Sequence, residues 1–357
     1  MSTFTDKLLK WYYKNYEPFP WRQTKNPYKI WLSEVMLQQT QVQTVIPFYN
    51  NWIIKFPTIY DVAQSSDEDL FKSWEGLGYY NRANNFREAC IQVIEKYDGQ
   101  IPSNKIELLQ LKGIGDYTSS AISSIAFNQK NHVIDGNVKR IMARILCLSN
   151  YSKKRVQKID KFLMQHIDNK KPGDFNQALM DLGREICKPK NPRCYDCPVS
   201  FICKAHLKNQ VNKYPINNSI KIVKPHYKVG VGIIWNGDKI LITKRKKNGL
   251  LGGLWEFPGG KVINKESIKK CIKREIKEEL NITVNVKEFI MNVKHQYSHF
   301  SINLYAHHCF YNGGKITCNS ADDWKWVTPS TFSKYPFPKA NHYIFPHILN
   351  NKAQHNV

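Results

Sequence analysis

Long apolar runs are missing. No stretch of the 357 residues approaches the roughly 18 uninterrupted apolar residues a membrane span needs, and the opening MSTFTDKLLKWYYKNYE scatters charge where a secretory leader would hold an apolar core. A soluble, cytoplasmic protein is expected, with no membrane partner. Acidic residues are scarce as well: 29 Asp and Glu stand against 53 Lys and Arg, a net charge of +24. With 42% hydrophobic and 13% aromatic residues, the chain is no disordered basic tail, and its charge favours a folded protein with a polyanionic partner. Lysine enrichment from a biased genome is the bland alternative, since Lys, Asn and Ile are all frequent. Internal repeats and low-complexity tracts are absent. So is an even complement of cysteines: nine is odd for a disulfide framework, and four of them crowd into residues 187 to 203 while five are dispersed. That crowding indicates a metal site in a reducing compartment.

At a usual 100 to 200 residues per domain, the length predicts two domains, or three. From 1 to 207 apolar residues recur at helical spacing, as in Trp31, Val35, Val42, Val45 and Ile46, broken by short Gly or Pro turns, which predicts an all-α domain. Residues 208–226 are polar, basic and Pro-punctuated and suit a linker. From 227 to 357 the period changes to two: Val229, Val231 and Ile233 precede Asn236-Gly237-Asp238 as a hairpin turn, and Ile240 and Ile242 follow it. With a helical stretch near 266–280, this half is expected to be α+β.

Three constellations in the first half carry chemistry. Cys187, Cys194, Cys197 and Cys203 place four thiolates on one short loop, a set that tetrahedral zinc and a [4Fe-4S] cubane both accept. The basic residues between them, Lys188, Lys190 and Arg193, would press such a stiffened loop on phosphates. Leu111-Lys112-Gly113-Ile114-Gly115-Asp116-Tyr117-Thr118 lies between an apolar helix start at 106–111 and a helix predicted over 118–127. Gly113 and Gly115 would expose backbone N–H groups and let a DNA backbone approach, a helix-hairpin-helix signature. Two acids stand out. Glu34 lies in an apolar helix within WLSEVMLQQTQV, where desolvation raises a carboxyl pKa and lets it donate a proton at neutral pH. Asp135 precedes Gly136-Asn137, where the N–H groups of a helix start would keep it ionised. One neutral acid and one fixed anion is the pairing that glycosidic cleavage uses.

The ordered blocks PWR (20–22), WLSEVMLQQTQV (31–42), WEGLGYYNRA (74–83), LKGIGDYT (111–118), VIDGNVKRIMAR (133–144) and FNQALMDLG (175–183), followed by the four cysteines, resemble the MutY family of adenine DNA glycosylases. The resemblance implies a two-lobed helix-hairpin-helix fold with a [4Fe-4S] cluster on the cysteines, acting in base-excision repair on duplex DNA with adenine opposite 8-oxoguanine or guanine. It implies that Glu34 protonates adenine and that Asp135 stabilises the sugar cation or forms a transient acetal with it. Tyr117 and Asn137 would position these acids and water. Arg22 and Gln177 match residues facing the flipped adenine, and Gln39 and Tyr79 match residues that enter the duplex near the lesion. Endonuclease III-like enzymes that also cut the strand carry a nucleophilic lysine just after the hairpin glycines. Tyr117 stands there instead, so a monofunctional glycosylase, acting as a monomer, is expected.

The second half holds a further motif. GGLWEFPGGKV followed by Gly260, Glu266, Arg274-Glu275-Ile276, Glu278-Glu279 and Asn281 resembles the Nudix box, with Asn281 in place of its last glycine. Asn tolerates positive φ well, so the loop-helix-loop should survive. Glu275, Glu278 and Glu279 would share a helical face suited to Mg²⁺ and a diphosphate if the box were active. In MutY-like proteins this domain reads 8-oxoguanine, and Tyr297, Ser298 and His299 match the lesion-reading segment. A lesion reader is therefore expected over a hydrolase.

Overall fold

The computed structural model describes residues 3–149, 152–215, 224–263, 265–297 and 300–350. Its helices, in chain order, are α1 (Phe4–Lys14), α2 (Pro27–Leu37), α3 (Val42–Lys55), α4 (Ile59–Ala63), α5 (Asp67–Trp74), α6 (Asn81–Tyr97), α7 (Lys105–Leu108), α8 (Asp116–Ile125), α9 (Gly136–Leu146), α10 (Lys153–His166), α11 (Pro172–Glu185), α12 (Lys204–Leu207), α13 (Ile268–Leu280), α14 (Lys339–His342) and α15 (Phe345–Asn350). Among the described residues, no helix is long and apolar enough to cross a membrane.

Contacts divide the chain into two units, Met1–Gln64 with Asn85–Ile220, and Ser65–Asn84 with Lys221–Val357. The sequence pattern put 65–84 with the first domain, because an amphipathic helix does not declare which core covers it. α5 buries Leu70, Phe71 and Trp74. Its acids meet the second unit's cations, with Lys244 Nζ 3.4 Å from Asp67 and 3.1 Å from Glu68. Glu75 Oε1 accepts from the Phe337 amide at 2.9 Å and lies 2.9 Å from His342 Nε2.

The first unit is all helix. Asn26 caps α2, accepting from the Lys29 amide at 3.2 Å, and Pro27 opens it with a preset φ. Every residue from Ile30 to Met36 is buried, so a polar side chain in that stretch has no solvent to turn to. The apolar spacing from Trp31 to Ile46 runs across two helices, α2 and α3, with a turn between them. A larger core gathers Leu8, Tyr12, Val133, Ile141, Phe175, Leu179 and Leu182 from α1, α9, α11 and the segment before α9.

The second unit is a mixed sheet. Its strands are β1 (His226–Asn236), β2 (Lys239–Arg245), β3 (Trp255–Glu256), β4 (Gly259–Lys261), β5 (Val284–Gln296), β6 (Ser301–Tyr311) and β7 (Ala321–Val327). The order is β3-β2-β1-β6-β5, with β4 paired to β1 and β7 to β2. Among the described residues only β1 and β6 pair in parallel, from His226 against Ser301 to Trp235 against Phe310. The predicted hairpin is present, with Gly237 at φ +59° between β1 and β2. α13 covers one face through Ile272, Ile276 and Leu280. The other face packs Trp235 and Phe257 against Phe332, Phe337 and Ile344. Asn281 ends α13 in the left-handed region at φ +56°, as its place in the Nudix-like box requires, and Lys277 Nζ donates to its Oδ1 at 2.9 Å.

Candidate active site

A cavity of about 700 Å³ opens in the first unit between α2, α8, α9 and α11. Glu34 and Asp135 both line it, with Tyr117, Asn137, Arg22 and Gln177. Six residues singled out in the sequence, from Arg22 to Gln177, thus reach one cavity wall.

Glu34 is 5% exposed. Burial pushes its carboxyl up to about 7, the nearby Asp135 adds to the rise, and the Tyr117 hydroxyl, donating to Oε2 at 2.7 Å, opposes it. At neutral pH a sizeable fraction of Glu34 therefore carries a proton, as expected from its apolar helix. The same hydroxyl lies 3.2 Å from Met180 Sδ, which fixes the ring against α11. Tyr117→Phe removes the hydrogen bond that, together with the charge of Arg22, favours the ionised acid. The alkaline limb of adenine release is then expected to move to higher pH, with little loss on the low-pH plateau; a pH–rate profile checks this.

Asp135 is the N-cap of α9. Its Oδ1 accepts from the Val138 amide at 2.7 Å and its Oδ2 from Asn137 Nδ2 at 3.1 Å. A helix-start N–H group of the kind expected to favour its ionised form is in place. Burial is the largest effect and raises its pKa above the usual value, while the bonds from Val138 and Asn137 and the charge of Arg140 only moderate the rise. The helix start supplies donors, but the cavity wall removes more water than those donors replace.

Asn137 is placed from two sides. Arg140 Nη2 donates to its Oδ1 at 2.8 Å, and Gly183 of α11 comes so close that a Cβ there would lie 2.5 Å from Asn137 Cβ. Gly183→Ala is expected to displace Asn137 from Asp135, lowering adenine release by about tenfold and destabilising by roughly 1–3 kcal/mol, as overpacking does. Single-turnover kinetics and thermal melting read the two effects.

Arg22 does not point freely into the cavity. Its guanidinium forks onto Asp181, Nη1 to Oδ2 at 2.8 Å and Nη2 to Oδ1 at 2.9 Å, and both side chains are almost buried. Asp181 and Arg184 were missed by the sequence reading. Arg184 lies 3.4 Å from Asp181 and bonds Glu17 at 2.5 Å. The signal was available: Asp181 is four residues from Gln177 on one helix face. Gln39 and Tyr79 are absent from the cavity lining. Gln39 sits exposed in the turn after α2 at φ +58°, and Tyr79, of the second unit, is 37% exposed at φ +49°.

The hairpin glycines lie as read. Gly113 takes φ +75° and Gly115 is the N-cap of α8, both exposed, while Ile114 between them is buried. The flanking helices are Lys105–Leu108 and Asp116–Ile125, both starting slightly before the expected limits. Lys188, Lys190 and Arg193 are exposed.

Cys187, Cys194, Cys197 and Cys203 line one small cavity with Arg144 and His206. Burial raises the thiols of Cys194, Cys197 and Cys203, and the four sulfurs act on one another electrostatically. Arg144 Nη1 lies 3.2 Å from Cys187 Sγ, a cation suited to a thiolate set, and also donates to Lys188 O at 2.8 Å. Among the described residues no three Cys, His, Asp or Glu side chains converge closely enough to hold a single metal ion. The same holds for the acids of the Nudix-like helix. Glu275 and Glu278 both pair with Arg274, at 2.9 and 3.0 Å. Tyr297 lines a second cavity, in the second unit. Ser298 and His299 lie outside the described residues.

With this geometry in hand, relatives are informative. An adenine DNA glycosylase of Buchnera aphidicola (from Acyrthosiphon pisum) is 35% identical, with 84% of this chain and 85% of that protein aligned. The chain belongs to the adenine DNA glycosylase family. An adenine DNA glycosylase of Arabidopsis thaliana is also 35% identical over 84% of this chain, although the chain spans only 54% of that longer protein. Family models agree: residues 32–165 match the HhH-GPD superfamily of base excision DNA repair proteins, and 230–347 match the NUDIX domain. A thermostable thymine-DNA glycosylase superposes with a TM-score of 0.54 at 29% identity, covering 57% of this chain and 95% of its own. As an adenine DNA glycosylase the protein is a hydrolase of base-excision repair, with a helix-hairpin-helix first half and a Nudix-like second half.

Proposed function

We propose that this enzyme releases adenine from duplex DNA in which adenine is paired with 8-oxoguanine or guanine, and that it does so without efficient strand cleavage. The observation that carries the chemistry is a buried acid held near neutrality, Glu34, sharing one cavity with a second, hydrogen-bonded carboxyl, Asp135. Glu34 gives its proton to a ring nitrogen of the flipped adenine. The leaving base departs neutral, with the electron pair of the broken C–N bond. Asp135, as carboxylate, stabilises the sugar cation, and water completes the hydrolysis. Arg22, fixed by Asp181, and Gln177 line the space that receives the base.

The basic loop and hairpin, Lys188, Lys190, Arg193, Gly113 and Gly115, supply contacts to the phosphate backbone. Gln39 and Tyr79 enter the duplex, and Tyr297, Ser298 and His299 read the lesion. The four cysteines hold a [4Fe-4S] cluster. The four cysteines line one cavity, and the family resemblance favours the cluster over a lone zinc. When bound, the cluster supplies a rigid fastening for the loop that carries the lysines. The enzyme acts as a monomer.

Single-turnover assays on duplexes with one 8-oxoguanine:adenine, guanine:adenine or thymine:adenine pair test this reading, with alkali added afterwards to reveal abasic sites. Release is expected from the first two, fastest from the first. Strand cleavage that keeps pace with base release without alkali would overturn the monofunctional assignment, since Tyr117 stands where the strand-cutting relatives place lysine.

A further inference from the structure

The turn between α5 and α6 holds a backbone conformation that its own sequence only partly favours. Gly76 and Gly78 take φ +108° and +71°, which glycine does readily, but Tyr79 follows at φ +49°, where a bulky residue stays only if its surroundings impose it. The two adjacent tyrosines part company as a result. Tyr80 is 6% exposed and meets the Phe71 ring edge-on at 6.1 Å, whereas Tyr79 is turned outward, 37% exposed. The contacts that impose this turn converge on one side chain, Arg82. Its Nη2 donates to the carbonyl oxygens of Leu77 at 3.2 Å and Gly78 at 3.1 Å, and its amide donates to Tyr79 O at 2.8 Å. The indole N–H of buried Trp74 donates to the same Gly78 oxygen at 3.0 Å. The guanidinium lies 5.3 Å from the Trp74 ring and 5.4 Å from the Tyr79 ring, within cation–π reach of both.

One residue thus touches the backbone before Tyr79, the backbone of Tyr79 itself and its ring. We propose that Arg82 is a positioning residue for Tyr79, holding the 77–79 backbone in the left-handed turn and the ring outward, so that the ring is set for a duplex before DNA arrives. This rests on the reading that Tyr79 enters the duplex, and it adds what places the ring there. A ring fixed in advance spares the ordering cost of fixing it on binding. The role belongs to the shape of the guanidinium as well as to its charge. Lysine would bring a compact cation without the planar group that meets two carbonyls and two ring faces. The start of the turn is held from the same unit, since Glu75 accepts from the Phe337 amide and lies beside His342.

Equilibrium binding of the full chain to a duplex with one 8-oxoguanine:adenine pair tests this, the adenosine carrying a 2′-fluorine so that it resists cleavage. A thymine:adenine duplex is the unlesioned reference, and both are titrated with salt. Tyr79→Ala should weaken the mispaired duplex about tenfold, the scale of one lost stacking contact. Arg82→Lys should weaken it several-fold although the charge is kept, and neither variant should change the salt slope or the unlesioned duplex. In the double variant Arg82→Lys should add less than about twofold to Tyr79→Ala, because a residue that acts through Tyr79 has nothing left to place. Parental affinity in Tyr79→Ala overturns the reading of Tyr79 and this inference with it. If Tyr79→Ala is impaired while Arg82→Lys binds as the parent does, only the role of Arg82 falls. A salt slope smaller by about one in Arg82→Ala would make Arg82 a phosphate contact. Effects that multiply in the double variant would make it a support for something other than Tyr79. Either of these results overturns the proposal.

Discussion

Glu34→Gln is expected to slow single-turnover adenine release by roughly 10³-fold, the span a positioned general acid contributes, while duplex affinity changes little. The amide keeps the shape of the side chain and can still meet the Tyr117 hydroxyl, 2.7 Å from the carboxyl it replaces. What it cannot do is give up a proton. In the parent enzyme the acid form is the active one, so with a pKa of about 7 the rate should be level below neutrality and fall about tenfold per pH unit above it. The variant should lack that limb. Stability falls over the same pH range. The folded-state pKa stands above the ordinary 4.5, so the protonated form is the one the fold favours, and stability present below pH 4.5 is lost as pH rises through about 7. By pH 8 the buried charge costs on the order of 3 kcal/mol, and Glu34→Gln should melt higher than the parent there. A variant that released adenine at the parental rate would remove Glu34 from the mechanism.

Asp135→Asn separates charge from capping. Asn is as good an N-cap as Asp, so the bond from the Val138 amide at 2.7 Å should persist and the melting temperature should change little. The anion facing the sugar is gone, and base release should fall by about 10³-fold, the scale of a lost transition-state electrostatic contact. Asp135→Ala should lose the same activity and, in addition, about 1 kcal/mol with the cap. If Asn and Ala were equally destabilising, or if Asn kept most of the activity, the carboxylate would be a structural cap and no more. Because burial raises the pKa of Asp135, the acid limb of the parental pH–rate profile should begin above the usual aspartate range.

Much of the site could be read from the chain. Glu34 was visible because a lone acid inside WLSEVML has few ways to reach water, and Asp135 because Asp-Gly-Asn before an apolar period marks a helix start. The hairpin and the αL cap at Asn281 were local too, fixed by φ preferences that a sequence displays directly. What could not be read depended on residues distant in the chain. The fork between Arg22 and Asp181 joins positions 159 apart. The rise in Asp135's pKa comes from desolvation by neighbours that no local window contains. Arg274's grip on Glu275 and Glu278 was nearer the surface of the text, since i, i+4 spacing joins Arg274 to Glu278, yet the metal reading treated the three acids alone. The segment 65–84 was legible as helix but not as belonging to the second unit.

That last feature changes what a boundary means in this molecule. The chain passes between units after Gln64, after Asn84 and after Ile220. A cut within 208–226 therefore does not yield two finished pieces. The amino-terminal product would keep α5, whose Leu70, Phe71 and Trp74 are buried in the intact chain and whose acids pair with Lys244. The carboxy-terminal product would lack the strip that Lys244 and His342 hold. The two halves are stitched rather than joined end to end, and a shortened enzyme would have to be designed around a loop from the first half that is already spoken for.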